Sequence, residues 1–432
     1  MQEQLALCAQ DKTFYLGYSG GLDSHVLLHI LRQLGVNLQA VYIDHGLSPQ
    51  AKHWQNHCAE VCRQLGVAFQ AHSVDARAGK GESPEAAARI ARYQVFSRLL
   101  AAGDYLLTAH HQDDQAETLL LQMCRGAGNK GLACMPVLKP FANGYHLRPL
   151  LASTRDELVA YARAENLVWI EDESNSSIQF DRNFLRHQII PLLKERWPAM
   201  VANLARVASH NAEADRVQTW FALRELASLA GSQPHTIAIK KLKNYPHIIQ
   251  KLLLRNWFAQ NHWALPSQGQ LERILNDVVY SRPDANPSFS WQGQQLKRYR
   301  DDLYLVKALS IDTRELKIVW DVKADLCLPH SLGHLRARLV QGLGLDPEQL
   351  QGKTASIRFR QGGERCQPVG RIGSHPLKKL LQEWQVPPWQ RELIPLLYLD
   401  EHLAMVIGFC VCLPFAKDEP NAMSIQIDWL GS

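Results

Sequence analysis

The sequence predicts an α/β protein with a parallel-sheet N-terminal domain, a helical middle domain and a small α+β C-terminal domain. Three observations carry this reading. Strand-like and helix-like segments alternate through the first third, the pattern of a parallel sheet with helices on both faces. From Trp197 to about Leu305 apolar and charged residues recur mostly at helical spacing. From about Leu316 short strand-like runs dominate. The expected division is 1–195, 196–312 and 313–432, and 432 residues suffice for two or three domains.

In chain order, the first strands are expected at Thr13–Tyr18, Leu38–Asp44, Ala68–Val74 and Tyr105–Ala109, where apolar and β-branched residues cluster. Helices are expected at Ser24–Leu34, Ala51–Leu65, Ser83–Ala102 and Asp113–Arg125. In sheets of this kind ligands bind beyond the carboxyl ends of the strands. That rule gathers at one edge the Ser19–Ser24 loop, Asp44-His45-Gly46, the segment around Glu82–Glu85, and His110-His111-Gln112-Asp113-Asp114. Thr154-Arg155-Asp156-Glu157 reads as a capping box opening a helix, and Glu171–Asp181 as a polar loop. Arg282–Pro287 is a proline-rich break in the middle domain. In the last domain the strand-like runs are Leu316–Trp320, Leu335–Leu339, Ala355–Arg360 and Leu403–Leu413.

Composition narrows the class. With 46% hydrophobic and 21% charged residues the chain reads as a soluble globular protein. Its formal net charge of +5 is compatible with a nucleic-acid partner without demanding one. The nine cysteines, Cys8, Cys58, Cys62, Cys124, Cys134, Cys327, Cys366, Cys410 and Cys412, contain no C-x-x-C, so reduced thiols in a cytoplasmic protein are expected, not a disulfide framework or zinc ribbon. Met1-Gln2-Glu3-Gln4 opens no signal peptide, and the apolar run Ala404–Ala416 is too short to span a bilayer.

The stretch richest in chemistry is Ser19-Gly20-Gly21-Leu22-Asp23-Ser24. It lies between the apolar runs Phe14–Tyr18 and Val26–Leu31, so it reads strand, glycine turn, helix. Such a turn aims several backbone N–H groups at one spot, and the helix dipole favours an anion there. Gly20 and Gly21 permit close approach and positive φ, Ser19 and Ser24 add hydroxyls, and Asp23 is placed to hold a cation beside phosphates. Simple helix capping needs one Ser or Asp; this loop supplies two serines, two glycines and an aspartate. Gly352-Lys353-Thr354 is no Walker loop, because Pro347 stands where the first glycine belongs; it is expected to form a turn.

The second constellation is His110-His111-Gln112-Asp113-Asp114-Gln115-Ala116-Glu117-Thr118. Adjacent helical residues point about 100° apart, so these side chains cannot all converge on one metal. Acidic residues at a helix start also suit its dipole. The segment follows a strand expected beside the Ser19–Ser24 loop, which gives His110 or His111 a phosphate to contact and Asp114 or Glu117 a Mg²⁺ or an amine.

Ser19–Ser24 matches the S-G-G-x-D-S pattern of the PP-loop ATP-pyrophosphatases, which split ATP into AMP and pyrophosphate. Further motifs make the resemblance narrower: Asp44-His45-Gly46-Leu47, Glu85-Ala86-Ala87-Ala88-Arg89 with Arg92-Tyr93, the His110–Thr118 stretch, Asp172-x-Ser174-Asn175, and Arg182-Asn183-x-x-Arg186 with Pro191. Near the end come Arg358-x-Arg360-x-Gly362-Gly363-Glu364-Arg365, Lys378-Lys379 and Val386-Pro387-x-Trp389-x-Arg391. Together these resemble the tRNA(Ile)-lysidine synthetase family over essentially the whole length. The resemblance implies a Rossmann-like PP-loop domain and an ATP- and Mg²⁺-dependent ligase acting on tRNA(Ile) with a CAU anticodon. There ATP adenylates the C2 oxygen of the wobble cytidine, and free L-lysine then displaces AMP to give lysidine, converting AUG reading to AUA. It further implies catalytic roles for Asp23, His110, Asp114, Glu117, Arg182 and Arg186, Mg²⁺ on Asp23 or Asp114, lysine held by Glu117 or Asp114, and charge on the adenylate met by Arg182 or Arg186. By the same resemblance the C-terminal domain grips the acceptor stem, and Arg358, Arg360, Arg365, Lys378, Lys379 and Arg391 are the candidate tRNA contacts, as monomer or homodimer. These positives cluster near glycines and His375 in loop-like sequence, as phosphate binding would use them.

Overall fold

The computed structural model describes residues 11–46, 48–75, 84–171, 177–282, 285–307, 313–419 and 421–430. Leu47, Glu82, Asp172, Ser174 and Asn175 lie outside the described residues. The chain divides into two compact units, Met1–Arg224 and Glu225–Ser432.

The first unit is built on a six-stranded sheet of order β3-β2-β1-β4-β6-β5. Its strands are β1 (Phe14–Gly17), β2 (Leu38–Asp44), β3 (Ala68–Ser73), β4 (Tyr105–Leu107), β5 (Leu138–Phe141) and β6 (Gly144–Leu147). All neighbouring pairs are parallel except the edge hairpin β5–β6. The helices are α1 (Leu22–Gln33), α2 (Ala51–Leu65), α3 (Pro84–Leu99), α4 (Gln112–Cys124), the single turn α5 (Asn129–Leu132) and α6 (Arg155–Ala164). Next come α7 (Asp181–Phe184), a π-helical turn (Leu185–Ile189), α8 (Ile190–Arg196) and the long α9 (Met200–Ser228).

Strand alternation sorts side chains to two faces. Phe14, Leu16, Ala40, Tyr42 and Leu107 share one core with Val26, Leu27, Leu28 and Leu31 of α1, Cys58 and Cys62 of α2, and Leu158 and Ala162 of α6. Val41 and Leu106, their neighbours in sequence, instead pack with Phe96 and Leu100 in and after α3. The expected strands and helices of this region are present with ends shifted by at most a few residues. The β5–β6 hairpin was not expected. Thr154 and Glu157 form the expected box: Glu157 N donates to Thr154 Oγ1 at 3.2 Å and Thr154 N to Glu157 Oε2 at 2.7 Å.

Order along the sheet decides where the site lies. β1 runs outward to β2 and β3, and the chain then returns to place β4 on the other side of β1, with Phe14 opposite both Leu38 and Tyr105. Connections leave β1 and β4 in opposite directions, opening a crevice at their carboxyl ends.

The second unit holds α10 (Ile239–Lys243), α11 (His247–Gln260) and α12 (Gln268–Arg273), the last continued by a π-helical turn (Ile274–Val279). Beside them lies an antiparallel sheet of order β7-β10-β9-β8, formed by β7 (Ile237–Ala238), β8 (Ser288–Trp291), β9 (Gln294–Tyr299) and β10 (Asp302–Lys307). The helical expectation for Trp197–Leu305 thus holds through Val279, and the meander beyond it is an addition. Two further antiparallel sheets follow, and Ile357, Phe359, Leu397 and Leu399 lie in their shared core. Their strands include β11 (Lys317–Val319), β12 (Leu326–Cys327), β13 (His334–Gln341), β14 (Gly344–Leu345) and β15 (Ala355–Arg358). The short hairpin β16 (Arg365–Cys366) and β17 (His375–Pro376) leads into α13 (Leu377–Glu383) and α14 (Pro388–Arg391). The chain closes with β18 (Leu396–Leu399), β19 (His402–Val406), β20 (Cys410–Val411), β21 (Ala416–Lys417) and β22 (Met423–Leu430). Gly352 sits in a turn, as expected. Among the described residues no helix is long and apolar enough to cross a membrane, and the cysteines are free.

Candidate active site

The loop after β1 is shaped by one glycine. Gly20 has φ +79°, and a Cβ there would lie 2.8 Å from both Cys58 Sγ and Ile170 Cδ1. Ile170 N also donates to Gly20 O at 2.9 Å, so the segment after α6 clasps the loop from outside. Gly21 does not use the positive φ open to it: at φ −73° and ψ 165° it is an ordinary extended N-cap. Ser24 Oγ donates to Gly21 O at 3.0 Å and accepts from Ser19 N at 3.3 Å, and it lies 3.2 Å from Ser19 Oγ. The serines therefore brace the loop. No side chain caps α1, which leaves its first-turn amides for an anion.

Asp23 stands in the first turn of α1. Its Oδ1 is buried without a hydrogen-bond partner. Its Oδ2 lies 3.6 Å from His111 Nε2. His111, only 1% exposed, also faces Asp114 Oδ2 at 3.4 Å and Asp113 Oδ2 at 3.6 Å. Burial alone would depress its pKa, but Asp113, Asp23 and Asp114 outweigh that and hold it at about 10, so His111 is an imidazolium at neutral pH.

His110 is the opposite case. Its Nδ1 lies 2.7 Å from Thr108 Oγ1, which also lies 2.8 Å from His146 Nε2. Burial lowers His110 to about 3, with Arg148 and Arg182 adding to the effect against Asp114. Burial and Arg148 lower His146 to about 2. Both rings are neutral, and the two adjacent histidines, inseparable by sequence, have different charges.

Glu117 is 1% exposed and takes two arginines, Arg182 of α7 and Arg186 of the π-helical turn. Arg182 Nε donates to Oε2 at 2.6 Å and Arg186 Nε to Oε1 at 2.6 Å, while Arg186 Nη2 reaches Oε2 at 3.0 Å. Both arginines also donate to Asp114 Oδ1 at 3.2 Å, and His111 N donates to Asp114 Oδ2 at 3.0 Å. Charged donors thus occupy the carboxylates of Asp114 and Glu117. Asp113 serves the scaffold: it accepts from Arg155 N at 2.9 Å and from Lys194 at 3.3 Å.

A positive group went unread in the sequence. Arg148, 2% exposed, donates to Pro136 O at 2.7 Å and lies 3.2 Å from His146 Nδ1, while its Nε is buried and unpartnered. Burial, together with repulsion from Arg148 and Arg89, lowers Lys139. A lone Arg before Pro149 carries no sequence signal, because its burial follows from the unexpected strand β6.

The site is therefore an anion-ready helix terminus opposite a compensated carboxylate–arginine cluster, on neighbouring strands at the switch point. A PP-loop domain family model matches residues 1–193, a TilS substrate binding domain 238–304 and a TilS substrate C-terminal domain 355–429. The tRNA(Ile)-lysidine synthase of Coxiella burnetii is 42% identical over 422 residues, covering 96% of this chain and 93% of its own. The chain belongs to the tRNA(Ile)-lysidine synthase family. The Serratia proteamaculans synthase is 43% identical over 407 residues, covering 92% of this chain and 91% of its own. Among solved structures, the U34-tRNA thiolase NcsA from Methanococcus maripaludis is 18% identical, with a TM-score of 0.42, covering 48% of this chain and 74% of its own.

Against this family background, the N-terminal residues singled out in the sequence, Ser19 to Ser24, His110, Asp114, Glu117, Arg182 and Arg186, belong to one folded unit, and ion pairs link Asp23 through His111 and Asp114 to both arginines. The C-terminal basic residues separate into two kinds. Arg358 is held by Glu401 through bonds of 2.6 and 2.8 Å. Arg391 donates to Val386 O at 2.8 Å, and Arg360 lies 3.7 Å from Glu364. Lys378 and Lys379 are exposed at the start of α13, just after the β16–β17 hairpin in which Arg365 pairs with Pro376.

Proposed function

We propose that this chain ligates L-lysine to C2 of the wobble cytidine of a CAU-anticodon tRNA(Ile) in two steps at the β1/β4 crevice. The observation that supports this most directly is the uncapped α1 terminus, with an unpartnered Asp23 oxygen, set beside the arginine-bound Glu117–Asp114 pair.

In the first step the cytosine C2 oxygen attacks the α-phosphorus of ATP and pyrophosphate leaves. The loop amides and the Ser19 hydroxyl receive the phosphates, while Ser24, its proton given to Gly21 O, braces the loop behind them. Asp23 is the residue that fits Mg²⁺, since Oδ1 is buried and free of partners. Asp114 fits less well, because both its oxygens already accept. Asp23 is therefore the residue that would hold the ion. Bound there, the ion would neutralise charge on the departing pyrophosphate. In the second step the lysine ε-amine attacks C2, the C2–O bond breaks and AMP leaves. Arg182 and Arg186 lie against Glu117 and Asp114 so that their charge is fixed in place for the phosphate of the adenylate. His111, already protonated, serves as a positive group, and neutral His110 as a hydrogen-bonding one.

In the same reading residues 1–195 carry the chemistry, while 196–312 and 313–432 hold the tRNA, with Lys378, Lys379 and Arg365 against the acceptor stem. The test is mass spectrometry of tRNA nucleosides after incubation of the protein with tRNA, ATP, Mg²⁺ and lysine. The expected product is a cytidine heavier by one lysine less one water, absent without ATP. AMP formation with no such adduct would overturn the choice of nucleophile, and neither product would overturn the reaction.

A further inference from the structure

In the C-terminal part of the second unit Cys366 meets Cys410 and Cys412, which lie 44 and 46 positions further on. Cys366 Sγ lies 2.6 Å from Cys412 Sγ and 3.6 Å from Cys410 Sγ. The backbone brings them together independently of the thiols: Leu413 N donates to Gln367 O at 2.8 Å, and Pro368 and Cys412 form an isolated bridge. The hairpin strand β16 is thereby stitched to the segment that follows β20. Cys366 and Cys412 are each 3% exposed, whereas Cys410 is partly open to solvent. None of the three has a part in the ligation.

We propose that Cys366, Cys410 and Cys412 form a thiol–disulfide site that reacts with hydroperoxides and stores the oxidation as a buried Cys366–Cys412 disulfide. Cys410 is the entry point. The neighbouring Cys366 and Cys412 thiols stabilise its thiolate, with Arg371 adding to this, and lower its pKa, while the Cys410 contact raises that of Cys366. The thiolate is the form that reacts. Its sulfur attacks a peroxide oxygen; an S–O bond forms, the O–O bond breaks, and the alcohol or water leaves. Cys366 then attacks the Cys410 sulfur, forming S–S and releasing water with the Cys366 proton. Cys412, 2.6 Å from Cys366, then attacks the Cys366 sulfur: the Cys366–Cys412 bond forms, the Cys366–Cys410 bond breaks, Cys410 leaves as the thiolate and the Cys412 proton passes to solvent. Overall two thiols are oxidised and one hydroperoxide is reduced to an alcohol and water.

The test uses the full-length reduced protein, titrated with hydrogen peroxide, trapped with N-ethylmaleimide under denaturing conditions, digested and weighed. The expected result is a linked Cys366–Cys412 peptide pair, two hydrogens lighter, formed before the exposed Cys124 and Cys327 are oxidised. Cys410→Ser is expected to slow its formation about tenfold, and an unchanged rate overturns the entry role. Should that variant not fold, brief N-ethylmaleimide labelling of the native protein replaces it: Cys410 labels before Cys366 and Cys412, and the reverse order overturns the proposal. Full labelling of all three thiols after Cys124 and Cys327 have been oxidised overturns it as well, as does one equivalent of tightly held zinc that protects the three from peroxide.

Discussion

At the scale of single residues the crevice contrasts a carboxylate with a free oxygen and carboxylates with none. Asp23 offers an unpartnered Oδ1, whereas Glu117 and Asp114 are held by arginines. Asp23→Ala is therefore expected to abolish AMP formation while tRNA binding, measured by filter retention, stays at its native level; normal turnover would remove Asp23 from the first step. His111 yields a pH prediction. Its folded pKa of about 10 lies above the ordinary 6.5. Its contribution to stability is thus complete below about 6.5 and is lost as pH rises through about 10. Melting temperatures of the native protein should fall across that window, and those of His111→Asn should fall less; parallel curves would mean that His111 is not charged in the fold.

At the scale of elements the site depends on what holds the loop from behind. Helix α6, opened by the Thr154–Glu157 box, packs Leu158 and Ala162 into the core beside α1, and the chain after it delivers Ile170 to Gly20. Thr154→Ala should cost about 1 kcal/mol of stability. Thermal denaturation reads this directly, and a loss of kcat without any loss of stability would contradict it. This box was legible because a cap is a local pattern. The helices and central strands were legible for a related reason: α1 repeats Leu27, Leu28 and Leu31 at helical spacing, and β2 is apolar throughout its middle. The β5–β6 hairpin was not, since Leu-Lys-Pro-Phe carries a proline and an exposed edge residue. The meander β8–β10 was missed because just one side of β8 and of the end of β9 is buried, and one of the inward residues is Arg298, which donates to Ser281 O at 2.8 Å. Buried cations on strands defeat a reading by polarity.

At the scale of the whole molecule the question is how a basic surface becomes a specific grip. Lys378 and Lys379 are exposed, and neither is held by a hydrogen-bonded ion pair of the kind that Arg358 must break with Glu401 among the described residues. Lys379→Ala is expected to weaken tRNA binding and to reduce the slope of log K against log salt by about one. Arg358→Ala should change that slope less; equal slopes for both variants would count against this division. Sequence motifs named all six basic residues alike, because a guanidinium engaged by a carboxylate 43 positions away looks no different on paper. The same distance effect hid how the four residues named at the candidate site pair, since Glu117 and Arg182 are 65 positions apart and Asp114 and Arg186 are 72. That separation also sets a timetable for synthesis. When the ribosome has released the phosphate loop and the strand beside it, Glu117 has no counter-charge, and its burial is opposed by the cost of an unpaired carboxylate. The cluster closes when residue 186 arrives, so the growing chain carries the Ser19–Ser24 loop, and Ile170 that clasps it, before it carries both arginines that neutralise Glu117.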